Sequence, residues 1–294
     1  MSIAVSIFHY ILDGCAAFDF MNNWAAMHTT GCMKTFPVER RSLLRSDGTL
    51  PTHTHPEFVV LSKDKPRGVP EETQIPDEAE AHVIRFTRES LDRLKVDAQS
   101  DTDRNEWIST NDALCGFLWK LVIDARETKP AESAISSMVM ACNGRKRTNP
   151  PLPEGYFGNV NFLAYTERQA GEIQSMSLPS VARTIRQAVN AVTHDVIQSS
   201  VNFVHSIEDV SRITFNTAKP DDITFSAWNK FPMFDANFGS GIPLYVGAPP
   251  FAVNGFILLT CGPEFDGSIL ATVMLKRSQI SNLLANEKLH LYAN

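Results

Sequence analysis

The sequence lacks the motifs of several large enzyme classes. It has no GxGxxG after a strand-like run, no Walker phosphate-binding loop, no HExxH and no GxSxG. These absences disfavour dinucleotide-dependent dehydrogenases, P-loop ATPases, zinc peptidases and serine hydrolases. The five cysteines are odd in number and form no CxxC pair, which disfavours a disulfide framework and a cysteine zinc site. We therefore expect a reducing, cytoplasmic setting.

Basic charge and long apolar runs are also scarce. Lys and Arg number 27 against 33 Asp and Glu, a net charge of −6, so no cationic excess is available for nucleic acid or anionic membranes. The most apolar internal run, Phe251 to Cys261, is far shorter than the roughly 20 residues that cross a bilayer. Residues 2–12 are apolar, but the first basic residue is Lys34, which argues against a signal peptide. We predict a buried strand at residues 2–8.

The length of 294 residues suffices for about two domains, and the order of the apolar patterns predicts an α/β protein. Apolar patterns typical of strands occur at 134–142, 160–165, 222–228, 254–260 and 268–275. Capping signals and apolar spacing predict helices behind Gly14, Thr87 and Ser109, one long helix from Ser177 to Val196, and a last helix over 278–289. Strands therefore alternate with helices along the chain.

Two HxxxD spacings occur, and their contexts differ. His9 and Asp13 follow the predicted first strand and precede Gly14 and a helix, a placement that can direct an imidazole into a cleft. The residues alone leave two interpretations open for His9: a catalytic base, or a buried histidine bonded to Asp13. His205 and Asp209 lie in a predicted helical stretch, where residues four apart are neighbours, so a surface pair is the favoured interpretation there.

One near pair of histidines, His53 and His55, lies in a segment rich in proline, glycine and charge at residues 46–80. We interpret that segment as a long connection between domains. A metal site would need further ligands, and Glu57 is the obvious candidate. A solvated loop is the favoured interpretation, and no metal is expected.

The stretch from His9 to Trp24 resembles the HxxxDG region of the BAHD acyl-CoA-dependent acyltransferases. Five further blocks resemble that family in its own order: Ser109–Trp119, Asn143–Arg147, Pro150–Asn159, Ser226–Trp228 and Asn237–Gly241. The ordered set covers nearly the whole chain and is most similar to the fungal branch. The resemblance implies a chloramphenicol-acetyltransferase-like fold, a mixed sheet flanked by helices, with one partial and one complete domain.

The resemblance also implies a chemistry. The family transfers an acyl group, most simply acetyl, from acyl-CoA to a hydroxyl or amine of a small specialised metabolite. His9 would be the general base, which suits an imidazole near neutral pH. The indole N–H of Trp228, with Ser226 beside it, would stabilise the oxyanion of the tetrahedral intermediate.

Other residues receive supporting roles from the same resemblance. Asp13 would hold the turn through a basic partner and point away from the acceptor, and Gly14 would permit the turn. Coenzyme A would approach the helix start at Ser109 and Thr110, where free N–H groups and the helix dipole favour phosphate.

One block departs from the family pattern. Asn237 stands where the family carries an aspartate that pairs with an arginine, followed here by Phe238 and Gly239. We expect Asn237 to accept a hydrogen bond from Arg145 or Arg147, without the assistance of a charge.

The position of the motif gives the expected domain organisation. The family carries roughly 150 residues before its HxxxDG histidine, whereas here that histidine is residue 9. Residues 1–60 would be the remainder of the N-terminal domain, 61–80 a crossover linker and 81–294 the complete C-terminal domain. Two alternatives stay open: a catalytically inactive remnant, or a condensation-type domain that uses a similar histidine. Self-association through the incomplete first domain is also expected.

Overall fold

The computed structural model describes residues 2–62, 79–99, 107–126, 133–216, 222–248 and 253–293. The first helix, α1, spans Gly14–Thr30, which confirms the helix predicted behind Gly14. It begins there because the Asp13 carboxylate accepts the Ala16 N–H at 3.0 Å, and it ends at Gly31, whose φ of 72° suits glycine.

The strands form one large mixed sheet and one small ribbon. In chain order they are β1 Phe58–Val60, β2 Ala79–Phe86, β3 Ile135–Asn143, β4 Asn161–Gln169, β5 Ile213–Phe215, β6 Ile223–Ala227, β7 Phe256–Cys261 and β8 Ile269–Lys276. The large sheet has the order β2-β8-β7-β6-β3-β4, and the pairings of β6 with β3 and with β7 are parallel. The strands β1 and β5 pair separately and antiparallel.

Within the described ranges, six further helices follow α1. They are α2 Arg88–Gln99, α3 Thr110–Ala125, α4 Ala170–Ser175, α5 Leu178–Ala191, α6 His194–Ser206 and α7 Arg277–Leu284. Helix α3 is central and mostly buried, with Trp119 fully enclosed and its indole N–H donated to the Ser136 hydroxyl at 3.0 Å. Gly116 allows α5 to approach, because a Cβ there would lie 3.2 Å from the Ala182 nitrogen. The predicted mixed sheet flanked by helices is confirmed.

The strand predicted at residues 2–8 is wrong. Within the described part of the chain these residues have no regular secondary structure and join neither sheet, and Ile3, Val5 and Phe8 are 40%, 41% and 67% exposed. An apolar sequence becomes a strand only where a neighbouring strand takes up its N–H and C=O groups, and no such neighbour is described here. The apolar side chains therefore form an exposed surface.

Two other element predictions need correction. Two helices occupy the stretch where a single helix from Ser177 to Val196 was expected. The first, α5, ends at Ala191, and Thr193 caps α6 by accepting the Val196 N–H. The last helix stops at Leu284, and a single 3-10 turn follows at Leu289–Leu291. Strand β2 was not predicted, and its first residue, Ala79, falls within the stretch assigned to the linker.

The second HxxxD does not form the predicted surface pair on a helix. Helix α6 ends at Ser206, just after His205, so Asp209 lies beyond it. The Asp209 carboxylate accepts the Ser211 N–H at 3.2 Å and lies 3.3 Å from the Arg212 guanidinium.

The prediction of a solvated loop at His55 and Glu57 is also wrong. Both residues are buried, with His55 Nδ1 2.9 Å from Glu57 Oε1 and His55 Nε2 2.9 Å from Ser199 Oγ on α6. We call these three residues the crossover latch, since they fasten the connecting segment to the helix. Among the described residues no group of three or more His, Cys, Asp or Glu side chains is arranged to hold a metal ion.

The crossover latch has the order of a catalytic triad but not its accessibility. Ser199 is 2% exposed, and its oxygen accepts the N–H groups of Thr52 at 3.0 Å and His53 at 2.9 Å. Both lone pairs are thus occupied, and the hydroxyl proton is left to donate to His55 Nε2. We infer a structural role rather than a nucleophile.

Replacing Ser199 with alanine is expected to lower the free energy of unfolding by about 1–3 kcal/mol, the cost of leaving buried polar groups without partners. The change leaves the Thr52 and His53 N–H groups and His55 Nε2 without their hydrogen-bond partner. Chemical denaturation measures the loss. Ser206→Ala is the matched control, because Ser206 is an exposed serine on the same helix. Equal stability of the two variants would contradict the latch.

Candidate functional site

The residues around the first HxxxD form what we call the His9 turn, residues 8–13. The Ile11 N–H donates to the Phe8 carbonyl at 2.9 Å, which closes the turn and leaves the His9 side chain exposed. Asp13, at the end of the turn, is buried. The two members of the motif therefore occupy different environments, one open to solvent and one enclosed.

The Asp13 carboxylate is saturated with hydrogen bonds. Its Oδ2 accepts Arg145 Nη1 at 2.8 Å and the Val160 N–H at 2.8 Å, while Oδ1 accepts Arg145 Nη2 at 3.0 Å and the Ala16 N–H at 3.0 Å. The guanidinium pairs with the carboxylate through two parallel bonds, the strong bidentate geometry. Asp13 thus serves as a structural anchor for the turn and the helix start.

The two arginines of the Asn143–Arg147 block have different partners. Beyond Asp13, Arg145 Nη2 donates to the carbonyls of Tyr156 at 3.2 Å and Gly158 at 2.9 Å. Arg147 Nη1 donates instead to the carbonyls of Val189 and Val192, where α5 ends. Arg145 therefore joins the His9 turn to the loop at 156–160, and Arg147 orients α5.

Helix α1 brings the His9 turn to the end of strand β6. A Cβ at Gly14 would lie 3.0 Å from Phe231 Cε2, so the glycine permits a close approach. One turn further, the Phe18 ring meets the Trp228 ring edge-on at 5.7 Å and the Phe231 ring at 5.4 Å between centroids. This aromatic contact places the start of α1 beside Trp228.

Trp228 and Ser226 are held by the parallel part of the sheet. Ser226 lies within β6 opposite Leu258, and the Trp228 N–H donates to the Leu259 carbonyl at 2.7 Å, which continues the pairing past the end of β6. Both side chains are half-buried. The main chain at Trp228 is therefore fixed, while its indole remains partly accessible.

The start of α3 reaches the same region. Asn111 and Asn229 exchange side-chain hydrogen bonds at 3.1 and 3.4 Å, and Asn229 directly follows Trp228. Ser109 caps α3 in the predicted capping box, with its hydroxyl 2.6 Å from the Asp112 carboxylate. Three of the blocks identified in the sequence thus converge around Trp228: the start of α1, the end of β6 and the first turn of α3.

The expectation for Asn237 is wrong. Its side-chain oxygen accepts the N–H groups of Gly239 at 2.8 Å and Gly241 at 3.1 Å, while Arg145 and Arg147 bind elsewhere. The neighbouring Phe238 ring packs edge-on against Trp24 of α1, with centroids 5.1 Å apart.

The same block lies far along α1 from the His9 turn. At 1.5 Å per residue, Trp24 is about 15 Å along the helix from Gly14. Asn237 therefore shapes its own loop at the distant end of α1, rather than the surroundings of His9.

Comparison with known proteins identifies the family. A model of the Transferase family matches residues 1–289. The chain belongs to this family, the BAHD acyltransferases. Shikimate O-hydroxycinnamoyltransferase of Nicotiana tabacum is 27% identical over 281 residues, which are 94% of this chain and 64% of the tobacco protein. Hydroxycinnamoyltransferase 1 of Oryza sativa is 28% identical over 282 residues, 94% of this chain and 63% of the rice protein.

Solved structures agree with this BAHD fold. The structure of F. graminearum TRI101 with ethyl coenzyme A matches with a TM-score of 0.81 at 19% identity, covering 97% of this chain and 64% of that one. Vinorine synthase matches with a TM-score of 0.66 at 20% identity, covering 97% and 61%. The chain thus spans just under two thirds of the length of its relatives. None of the helices in the described ranges is long and apolar enough to cross a membrane.

The BAHD chain also has a cleft that the sequence reasoning missed. A cavity of about 490 Å³ opens between α1, residues 33–39 and the loop at 155–157, with Phe20, Trp24 and Met27 on its α1 wall. Asp19 also lines it, and burial raises the pKa of that carboxyl. Those three apolar side chains are each more than two-fifths exposed, a signal hidden within an ordinary amphipathic pattern.

Proposed function

We propose that this chain catalyses, or contributes two thirds of an enzyme that catalyses, acyl transfer from acyl-CoA to a hydroxyl or amine of a small metabolite. The convergence of the His9 turn, Trp228 and the first turn of α3 is the observation that carries the proposal. It supplies an exposed imidazole and a half-buried indole on elements that contact each other through Phe18. Membership of the BAHD family supports the same reaction class.

His9 acts as the general base in this mechanism. The neutral imidazole removes the proton of the acceptor hydroxyl or amine as its oxygen or nitrogen attacks the thioester carbonyl. The carbonyl electrons move onto oxygen, where the Trp228 indole N–H and the Ser226 hydroxyl stabilise the negative charge. Collapse of the intermediate breaks the carbon–sulfur bond, and the imidazolium returns its proton to the thiolate of coenzyme A.

No acyl-enzyme intermediate is needed. The thiol that follows the motif in sequence is Cys15, and burial raises the pKa of that thiol, so it stays protonated at neutral pH. Asp13 is engaged by Arg145 and by two backbone amides and takes no part in proton transfer. The proton therefore passes directly between acceptor, His9 and leaving thiolate.

The acyl-CoA phosphates are proposed to lie near the first turn of α3, at Ser109 and Thr110. Ser109 is already bonded to the buried Asp112, so Thr110 is the better probe. We expect Thr110→Asp to weaken acyl-CoA binding by about fivefold or more, because like charges a few ångströms apart repel by about 1–4 kcal/mol near a protein surface. Isothermal titration calorimetry measures the affinity for acyl-CoA.

The control for Thr110→Asp is Ser180→Asp, which adds the same charge to the first turn of α5. Unchanged coenzyme A affinity in the Thr110 variant, with both variants folded, would move the phosphate site away from α3.

Thiol release tests the reaction itself. The purified chain is incubated with acetyl-CoA or with a hydroxycinnamoyl-CoA, together with a panel of alcohols and amines, and acylated products are identified by mass spectrometry. The second donor is included because relatives are named for hydroxycinnamoyl transfer. Acceptor-dependent thiol release supports the proposal. Its absence with every donor and acceptor favours the alternative of a catalytically inactive remnant. A parallel incubation with acyl groups bound to a carrier protein tests the condensation-type domain, which would transfer only from those donors.

The chain covers less than two thirds of the length of the tobacco and rice relatives, which bears on the activity expected of the chain alone. A cleft that orients the acceptor and excludes water needs walls on both sides. We propose that residues 79–294 form the complete domain, since β2 of the large sheet begins at Ala79, and that residues 1–60 are the remainder of the first domain, with 61–78 between them. The exposed apolar side chains at residues 3–11 would then promote self-association, with weak transfer by the isolated chain. We further propose that the enzyme is fungal and cytoplasmic and that it acts in specialised metabolism.

A further inference from the structure

The His9 turn has little support of its own. It lies outside the helices and strands, and its single internal backbone bond joins Ile11 to the Phe8 carbonyl. The side chains around it, including Phe8 and Tyr10 at 67% and 81% exposure, are open to solvent. A base that must meet the acceptor within hydrogen-bond distance therefore depends on contacts from elsewhere in the chain.

Two side chains from other segments hold carbonyls of the turn. Asn159 Nδ2 donates to the His9 carbonyl at 2.6 Å, and Arg41 Nη2 donates to the Ile11 carbonyl at 3.2 Å. The first is the shorter bond and acts on the histidine itself. The sequence reasoning placed Asn159 in a loop block but gave it no role.

The main chain beside Asn159 is itself anchored. The next residue, Val160, is buried and donates its N–H to the Asp13 carboxylate at 2.8 Å, and the preceding Gly158 carbonyl accepts Arg145. The amide of Asn159 therefore projects from a fixed backbone. The loop at 156–160 therefore holds the His9 turn by hydrogen bonds at two residues, His9 and Asp13.

We infer that Asn159 is a positioning residue for the general base, fixing the direction in which the His9 imidazole leaves the turn. The inference rests on the proposed function and deepens it. It is physically reasonable because displacing a catalytic group by about 1 Å can cost on the order of 10²-fold in rate. The Asn159 side chain itself acts only through the His9 carbonyl.

The kinetic test uses three variants of the whole chain. Asn159→Asp keeps the shape but removes the N–H donor, and Asn159→Ala removes the side chain, so both are expected to lower kcat by about 10- to 100-fold with an unchanged KM for acyl-CoA. Added imidazole is expected to restore part of the rate, since it replaces a misplaced base. Asn216→Ala is the matched control, because Asn216 also donates to a loop carbonyl, that of Pro56, at 2.9 Å. Wild-type kcat in both Asn159 variants overturns the inference.

Nuclear magnetic resonance separates this inference from the proposed function. The His9 ring and the Tyr10 amide, which follows the His9 carbonyl, are expected to move toward random-coil chemical shifts in Asn159→Asp but not in Asn216→Ala. This readout needs no catalysis, so it holds even if the chain transfers no acyl group. Identical His9 and Tyr10 signals in wild type and in Asn159→Asp overturn the positioning role, whereas absent thiol release with shifted signals overturns the function alone.

Discussion

Replacing Arg145 with alanine is expected to lower the free energy of unfolding by about 3–5 kcal/mol, the usual cost of removing one partner from a buried ion pair. The Asp13 side chain is fully enclosed, and that of Arg145 is 10% exposed. The variant leaves a buried carboxylate with only the amides of Ala16 and Val160. It also releases the Tyr156 and Gly158 carbonyls, so the His9 turn and the loop at 156–160 separate together.

Chemical denaturation of a double-mutant cycle measures this pair. Asp13→Ala combined with Arg145→Ala should cost clearly less than the sum of the two single changes, because each single variant already loses the shared contact. Arg88→Ala is the control: its ion pair with Asp92 is of similar length, 2.9 Å, but both side chains are more than half exposed, and it should contribute below about 0.5 kcal/mol. Additive losses at Asp13 and Arg145 would show that the pair does not bind the turn to the loop.

Replacing His9 with alanine is expected to lower kcat by about 10²- to 10⁴-fold, the usual contribution of a positioned general base. The His9 side chain is exposed, so its loss should leave the fold intact. Affinity for acyl-CoA should stay within error, since the phosphates are proposed to lie near α3. Single-turnover thiol release at high enzyme concentration allows even a slow wild-type rate to be compared.

The chain supplies its own control for His9. His205→Ala removes the histidine of the other HxxxD spacing, which lies near the end of α6, and should leave kcat unchanged. Turnover of the His9 variant within tenfold of wild type, with circular dichroism showing a folded protein, would remove His9 from the mechanism.

Local signals predicted the elements whose causes are local. The capping box at Ser109 and Asp112 sets the start of α3 through bonds between residues three apart, and those bonds are present. The apolar runs at 254–260 and 268–275 became β7 and β8, which pair antiparallel with each other, so each run finds its neighbour in the adjacent run of the chain. The order of the family-like blocks gave the fold class.

The remaining features depend on contacts distant in sequence. Asp13 lies 132 residues from Arg145, and nothing in the sequence distinguishes Arg145 from Arg147 as its partner. The apolar residues 2–8 look like a strand, but strand formation depends on a neighbour that sequence pattern does not reveal. His55 was placed in a polar loop, and only the packing of Ser199 against it makes that loop a buried connection.

The attachment of the His9 turn has a mechanical consequence. Asn159, Val160 and Arg145 all belong to the stretch between β3 and β4, so the His9 turn is attached to the large sheet, as is Trp228 at the end of β6. Because β3 pairs with both β4 and β6, the sheet acts as one frame that sets the separation between the His9 turn and Trp228.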